Sequence, residues 1–424
     1  MRNVKGCWFL VALIAVGVNA QPTYAMTIEQ AWQAAKKFDP SYQKSQLDEQ
    51  ISETMVLSAK GELFPSLSTG ANAAWNEHGK YNNSYDVTFE QTLWDSSKWA
   101  NLDQSQATHL AAQLSVAQAY NTLAEKVITA YLELAQAQSN LDLAKQKRLE
   151  SKKIYDITQK NYQAGKIRLS EVEETKANYI DAQSIVLASQ SELQQKKSGL
   201  MLLTNESPTV VDEIAADALV KPELAMNDQQ RWVELAKNSS PELLVAKQKV
   251  TAAEFGREKA QAGYYPTLSG KLTYSDGSER RNDNLNAGLN VRLPLDLNGS
   301  TRAQVDKASL EILSAKQDVI QVEVRLKTQV EQDFQQLYMD WQRVEIAQQQ
   351  ILTQQTVLKA KELEFSAGLS QASDVIRAHN LLFDKKNKLR SQLYQYWKRR
   401  VSLLKTVGQL DDTVIKQLSM ALHS

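Results

Sequence analysis

The sequence is poor in everything that interrupts or staples a long helix. Of 424 residues, only 15 are glycine and 8 are proline, about half the usual share of each. A single cysteine, Cys7, lies near the N-terminus in a segment expected to be removed. The mature chain then has no disulfide, thiol nucleophile or thiolate metal site. The four histidines, His78, His109, His379 and His423, are scattered without metal-ligand spacing, and no cofactor is expected. Nor is there a surplus of charge: 49 Lys+Arg balance 49 Asp+Glu, and loss of Arg2 and Lys5 with the leader leaves two more acids than bases. A near-neutral chain lacks the long-range field that gathers DNA or RNA, so no nucleic-acid partner is expected. Beyond residue 25 no apolar run approaches the ~18 residues of a membrane-spanning helix. If the protein enters a membrane, it does so with strands.

What is present begins with an address. Arg2 and Lys5 precede the apolar run Trp8–Val18, and small-x-small sites follow at Val18-Asn19-Ala20 and Thr23-Tyr24-Ala25. This is the layout of a secretory signal peptide, residues 1–25, with cleavage after Ala25 or Ala20. No cysteine follows the site, so a lipid anchor is not expected.

The rest of the chain is written twice. Phe38-Asp39-Pro40-Ser41 is echoed by Ser239-Ser240-Pro241-Glu242, and Leu63-Phe64-Pro65-Ser66 by Tyr264-Tyr265-Pro266-Thr267. Pro40 and Pro65 thus recur at the same offset. Further on, Tyr162-Gln163-Ala164-Gly165 matches Phe365-Ser366-Ala367-Gly368. The spacing is far longer than a solenoid unit, so one large module has been duplicated. The expected organisation is a first repeat at 26–206, with a β-hairpin at about 67–94 and a long helical hairpin whose tip is 164–167. A connector follows at 207–227. The second repeat is 228–410, with a β-hairpin at about 268–295 and a helical tip at 367–370, and 411–424 form a C-terminal tail.

The strands are two-faced. Leu67, Thr69, Ala71, Ala73 and Trp75 alternate with Ser68, Gly70 and Asn72; Tyr85, Val87, Phe89 and Leu93 alternate with Asp86, Thr88 and Glu90, after a polar turn at 76–83. In the second repeat Leu268, Leu272 and Tyr274 alternate with Ser269, Lys271 and Thr273. Leu285, Ala287, Leu289, Val291, Leu293 and Leu295 form the cleanest series, against Asn286, Gly288, Asn290 and Arg292. Period-two alternation over about ten residues suits a barrel strand with lipid outside and water inside. Open sheet edges are forbidden in hydrocarbon, and four strands are too few to close around a lumen. Two copies would supply eight strands and an interior filled by side chains; three supply twelve and an aqueous bore. A homotrimer is the inference.

From Ser97 to Tyr162, and again from Thr301 to Ala367, there is neither proline nor glycine. At 1.5 Å per residue each stretch makes roughly 100 Å of helix. Leu110, Leu114, Ala117, Ala124, Tyr131, Leu134 and Leu141 recur in steps of three, four and seven, a coiled-coil-like seam. The expected fold class is an α+β membrane protein, with long antiparallel coiled-coil helices forming a tunnel and four transmembrane strands per copy contributing to a twelve-stranded barrel.

These residues resemble the TolC family of outer-membrane efflux and secretion ducts. The resemblance rests on the signal peptide, the tandem halves, Pro65 and Pro266 before the strands, Leu93-Trp94-Asp95-Ser96-Ser97-Lys98-Trp99 and the paired Ala-Gly turns, and covers nearly all of residues 26–410. The Asp-x-Ser-Lys-Trp stretch is closer to the type member than to lipid-anchored drug-efflux members. The resemblance implies a cell outer membrane location in a Gram-negative bacterium with the helical tunnel in the periplasm. It also implies a periplasmic adaptor (membrane fusion) protein and an inner-membrane ABC or proton-driven exporter as partners.

It further implies an aperture at the tunnel's far end. Asp374 falls at the family's first ring aspartate, whereas the second ring position is Arg377, a departure that weakens cation selectivity by charge cancellation. Glu171 fills the acidic position of the clasp, but Phe365 replaces a tyrosine and Ser370 an arginine; Lys166 and Arg168 are candidate substitutes. Gly165, Lys166, Ile167, Gly368, Leu369 and Ser370 form tips suited to adaptor contact, with Ile167 and Leu369 expected to be exposed. Trp94 and Trp99 lie where strand becomes helix, suiting an interfacial aromatic girdle. No nucleotide-binding loop occurs, so the duct is passive, and an enzyme is not expected: no carboxylate stands at catalytic spacing from a histidine or cysteine. The Lys98-Trp99 resemblance favours type I protein secretion; small-molecule or multidrug efflux is the alternative. A soluble periplasmic coiled-coil scaffold or adaptor is the alternative of another class.

Overall fold

The structure, a computed structural model, describes residues 25–75, 81–208, 210–214, 224, 226–277 and 280–423. The expected signal peptide therefore lies outside the described residues except for Ala25. Helix α1 (Ile28–Phe38) opens on a reciprocal cap: Thr27 accepts from the Gln30 backbone amide, while the Gln30 side chain accepts from the Thr27 amide. Asp39 ends it and at once caps α2 (Pro40–Gly61), its carboxylate 2.7 Å from Tyr42 N. Pro40 occupies the first helical position, where its missing N–H costs nothing. After Pro65 come β1 (Ser66–Trp75), β2 (Tyr81–Trp94), α3 (Ser96–Gln163) and α4 (Leu169–Thr204). The second half repeats this order as α5 (Gln229–Ser239), α6 (Pro241–Gln261), β3 (Thr267–Gly277), β4 (Arg280–Arg292), α7 (Ser300–Ser366) and α8 (Ala372–Thr406).

The four strands form one antiparallel sheet in the order β1-β2-β3-β4. Leu67 faces Phe89, Phe89 faces Leu272, and Leu272 faces Ala287, so the apolar series share one face. That face is bare in a single chain: Leu289 is 73% and Leu285 65% exposed. Among the described residues no further strand pairs with β1 or β4, leaving two open edges. Two details differ from the sequence reading. The apolar alternation runs on to Leu295, but the ladder ends at Arg292, because the next pair would set Leu293 opposite Pro266, with Pro294 just beyond, and neither proline has an N–H to donate. The expected turn at 76–83 is shorter at its far end, since Tyr81 already pairs with Trp75.

Helices α3 and α7 have 68 and 67 residues, about 100 Å each. Their return helices α4 and α8, with 36 and 35 residues, cover only the half nearer the tips. This explains why the expected seam changes partner. Ala124, Tyr131, Leu134 and Leu141 are buried, but Leu110 and Ala117 are exposed. Beyond the end of α4, helix α3 packs instead on α2 and α6, and Leu102 joins Val56 and Ala59 in a separate apolar cluster.

The main cores gather at the waist. Trp32, Tyr131, Leu132, Leu200 and Tyr394 form one, and Trp232, Val330, Trp341 and Tyr396 the other. Segment 411–424, expected only as a tail, contains α9 (Asp412–His423). Ile415 and Leu418 of α9 enter the first core, and Asp412 accepts from Trp32 Nε1 (2.7 Å) and Tyr120 OH (2.6 Å). In the connector, Val211 bridges to Met26 and Gln138 binds both the amide and the carbonyl of Val211.

Candidate functional site

The two helical tips reverse by the same device. Gly165 (φ +71°) and Gly368 (φ +73°) stand in the left-handed region, which a side chain would strain. Around each, two amides turn back on the helix end: Gly165 N to Tyr162 O and Lys166 N to Asn161 O, matched by Gly368 N to Phe365 O and Leu369 N to Glu364 O. Leu369 is 80% exposed. Ile167, expected to be exposed, is instead partly buried, because the two tips meet across a cleft of about 720 Å³ and Ile167 faces into it. Ile154, Ile157, Phe365 and Val375 are among the cleft's apolar lining, and Glu150, Lys153, Lys166, Glu171 and Glu362 supply its charges. The cleft offers apolar purchase bordered by charges of both signs.

The sequence-derived aperture residues fall beside this cleft. Glu171, in the first turn of α4, accepts from the Ala372 backbone amide (3.4 Å) at the start of α8. The N-cap residue of α8, Gln371, makes no side-chain cap of its own, so Glu171 caps a helix of the other repeat, where the dipole favours an anion. Ser370 Oγ is buried with no protein partner, and Phe365 is partly buried. Neither Lys166 nor Arg168 forms an ion pair among the described residues. Asp374 and Arg377 pair with each other one turn apart (2.9 Å).

Three features here escaped the sequence reading. Asn380 Nδ2 donates to Asn178 Oδ1 (3.0 Å), joining α8 to α4; the two asparagines sit at near-equivalent places in the repeats, a signal the duplication offered. His379 is buried against Phe383, ring centroids 4.7 Å apart, and its Nδ1 has no partner. Burial above all, with the nearby charges of Lys147 and Lys386, lowers its pKa to about 4, so the ring is neutral. At the waist, Asp333 and Asp340, each 2% exposed, share Arg399: Nη1 lies 3.3 Å from Asp333 Oδ1 and Nε 2.9 Å from Asp340 Oδ2. Nothing in the sequence distinguishes these carboxylates from the solvated ones around them.

At the other end, Trp94 closes β2 and Trp99 lies in the first turn of α3; both are more than half exposed. The residues between them build the corner. Asp95 caps α3 through Ser97 N (2.9 Å). Lys98 Nζ reaches Glu62 O (3.0 Å) and Thr92 Oγ1 (2.7 Å), tying the end of α2 to the end of β2. No described helix is long and apolar enough to cross a membrane.

The sequence profile described as "Outer membrane efflux protein" matches residues 31–206 and 232–409. The chain is similar to the outer membrane protein TolC of Vibrio cholerae, 20% identical over 96% of both chains. It is likewise similar to the proteases secretion protein PrtF of Dickeya chrysanthemi, 22% identical over 98% of this chain and 94% of that one. In fold it resembles the CmeC outer membrane channel of Campylobacter jejuni, with a TM-score of 0.78 at 15% identity, covering 100% of this chain and 97% of that one.

Proposed function

The chain belongs to the outer membrane efflux protein family, and from that premise we infer that it serves type I protein secretion as a homotrimer. The protein is an outer-membrane exit duct with its helical tunnel in the periplasm. Family and fold are those of channel proteins rather than of enzymes, and membership displaces the soluble scaffold alternative.

The observation that carries the reading is the continuity of two parts. A four-stranded sheet with a bare apolar face and two open edges runs directly into helices about 100 Å long. Hydrocarbon tolerates that sheet only when other copies cover the edges, and the bare helix faces need neighbours over the same length. Leu310, Leu313, Ile320 and Val324 of α7, and Leu47 and Ile51 of α2, are all exposed in the single chain.

Three copies give twelve strands and a bore. The tips take the periplasmic adaptor, with Leu369 and the Ile154–Phe365 cleft as contact, and an inner-membrane ABC exporter supplies the energy. Glu171, Phe365, Ser370, Asp374 and Arg377 border the aperture, where the Glu171 cap on α8 does the work that Phe365 and Ser370 cannot. Trp94 and Trp99 sit at the lipid interface. Protein cargo is favoured because two relatives matched over nearly their whole length are named for protease secretion. Small-molecule efflux remains the second reading, favoured by a fusaric acid resistance relative matched over 55% of this chain.

Deletion of the gene separates the two. Loss of one exported protein from the medium with unchanged retention of a lipophilic dye supports secretion; dye retention with normal protein export overturns it in favour of efflux.

A further inference from the structure

The internal repeat carries information about the seam between copies, which a single chain does not display. Within the chain, β2 meets β3 with Phe89 opposite Leu272, Thr88 opposite Thr273 and Glu90 opposite Lys271. By the repeat, β1 corresponds to β3, since Ser66 and Thr267 each follow the proline that opens a strand. Leu67 faces Phe89 and Leu268 faces Val291, so Phe89 corresponds to Val291. The open edge β4 is therefore a second β2, and the open edge β1 a second β3.

We propose that neighbouring copies join β4 to β1 in the register of the β2–β3 seam. Val291 then faces Ala71 of the next copy, Asn290 faces its Asn72, and an Arg292–Asp86 ion pair crosses the seam inside the bore. This inference rests on the oligomeric reading above and adds to it a register and a pair of residues.

The side chains fit that register on both faces. Outside, Val291 and Leu289 meet Ala71 and Ala73, and no charge enters lipid. Inside, the hydroxyl pair Thr88–Thr273 (3.1 Å) is replaced by two asparagines, which bond to each other equally well.

The third position is the informative one. Within the chain, Glu90 faces Lys271, and beyond Lys271 stands Gly288. Between copies, Arg292 faces Gly70, and beyond Gly70 stands Asp86. The charged partner is thus one strand further away, about 10 Å between Cα atoms at two strand spacings, with a glycine between. The Asp86 carboxylate already leans over that glycine towards the open edge: a Cβ built on Gly70 would lie 2.6 Å from Asp86 Oδ1. An extended arginine arriving over the bare Gly70 backbone reaches it. Arg292 is exposed and forms no ion pair among the described residues.

Paired cysteines test the register in the full-length protein, whose one native cysteine lies in the leader. Oxidised Val291→Cys/Ala71→Cys should run as covalent dimers and trimers on non-reducing denaturing gels. Val291→Cys/Ala73→Cys should run as monomer, because a diagonal pair is about 7–8 Å apart, too far for a disulfide. Cross-linking of the diagonal pair alone, or of neither pair in a protein that still sizes as a trimer, overturns the register and leaves the oligomer standing. A protein that sizes as a monomer in detergent overturns both. For the ion pair, Arg292→Asp or Asp86→Arg alone should lower the temperature at which the trimer dissociates in detergent, and the two together should restore it. Absence of restoration in a protein with the correct cysteine register removes the pair.

Discussion

Burial of His379 makes this protein less stable in acid than its carboxylates alone would. In the native state the ring is held neutral, its pKa lowered from 6.5 to about 4 by desolvation and by Lys147 and Lys386. On unfolding, the imidazole regains its ordinary pKa and takes up a proton. Because the folded pKa is the lower one, the unfolded state binds more protons throughout the window between the two values, and stability falls as pH drops through it. At about pH 5 the unfolded ring is almost wholly charged while the native one is almost wholly neutral. The difference amounts to about 2 kcal/mol per chain relative to pH 7.5, at about 1.4 kcal/mol per pKa unit.

The comparison is between the parent protein and His379→Gln, each unfolded thermally in detergent at pH 7.5 and 5.0. The variant can be less stable at both pH values, since its amide is buried in the same place; the readout is the drop between them, which should be smaller in the variant. A ¹³C-labelled histidine spectrum checks the cause directly. Titration of the His379 signal near 6.5, or an equal pH-dependent drop in parent and variant, would refute the reasoning.

Other expectations follow from the same contacts. Arg399→Met leaves Asp333 buried without a cation, while Asp340 keeps Arg343 at 3.0 Å, and should cost about 3–5 kcal/mol in a denaturation experiment, whereas adding Asp333→Asn should recover most of it. If the double variant is no better than the single one, the loss lies in packing of the arginine stem. Glu171→Gln keeps an acceptor oxygen but removes the charge that favours the start of α8, worth about 0.3–1 kcal/mol, and should raise single-channel conductance in planar bilayers; unchanged conductance would mean that the cap does not hold the aperture. Arg377→Asp removes the partner of Asp374 and adds three negative charges per trimer, so cation preference should rise. An unaltered reversal potential would place both residues outside the constriction.

Much of this architecture is legible in the sequence, because it depends on local chemistry that repeats. Prolines at 40, 65, 241 and 266 mark helix and strand boundaries by lacking an N–H. Glycines at 165 and 368 mark reversals by tolerating positive φ, and the scarcity of both elsewhere sets the helix length. Alternation of period two identified the strands, although it overran the ladder at Pro294, where hydropathy continues and hydrogen bonding cannot. What the tertiary structure alone decided are contacts between residues far apart in the chain. Glu171 became a cap because α8 starts with free amides beside it, Ile167 turned inward because two tips share a cleft, and Asp333 and Asp340 became costly because α8 excludes water from them. A residue's type and spacing declare the backbone it favours; its electrostatic role depends on which groups and how much water surround it, and the fold supplies both.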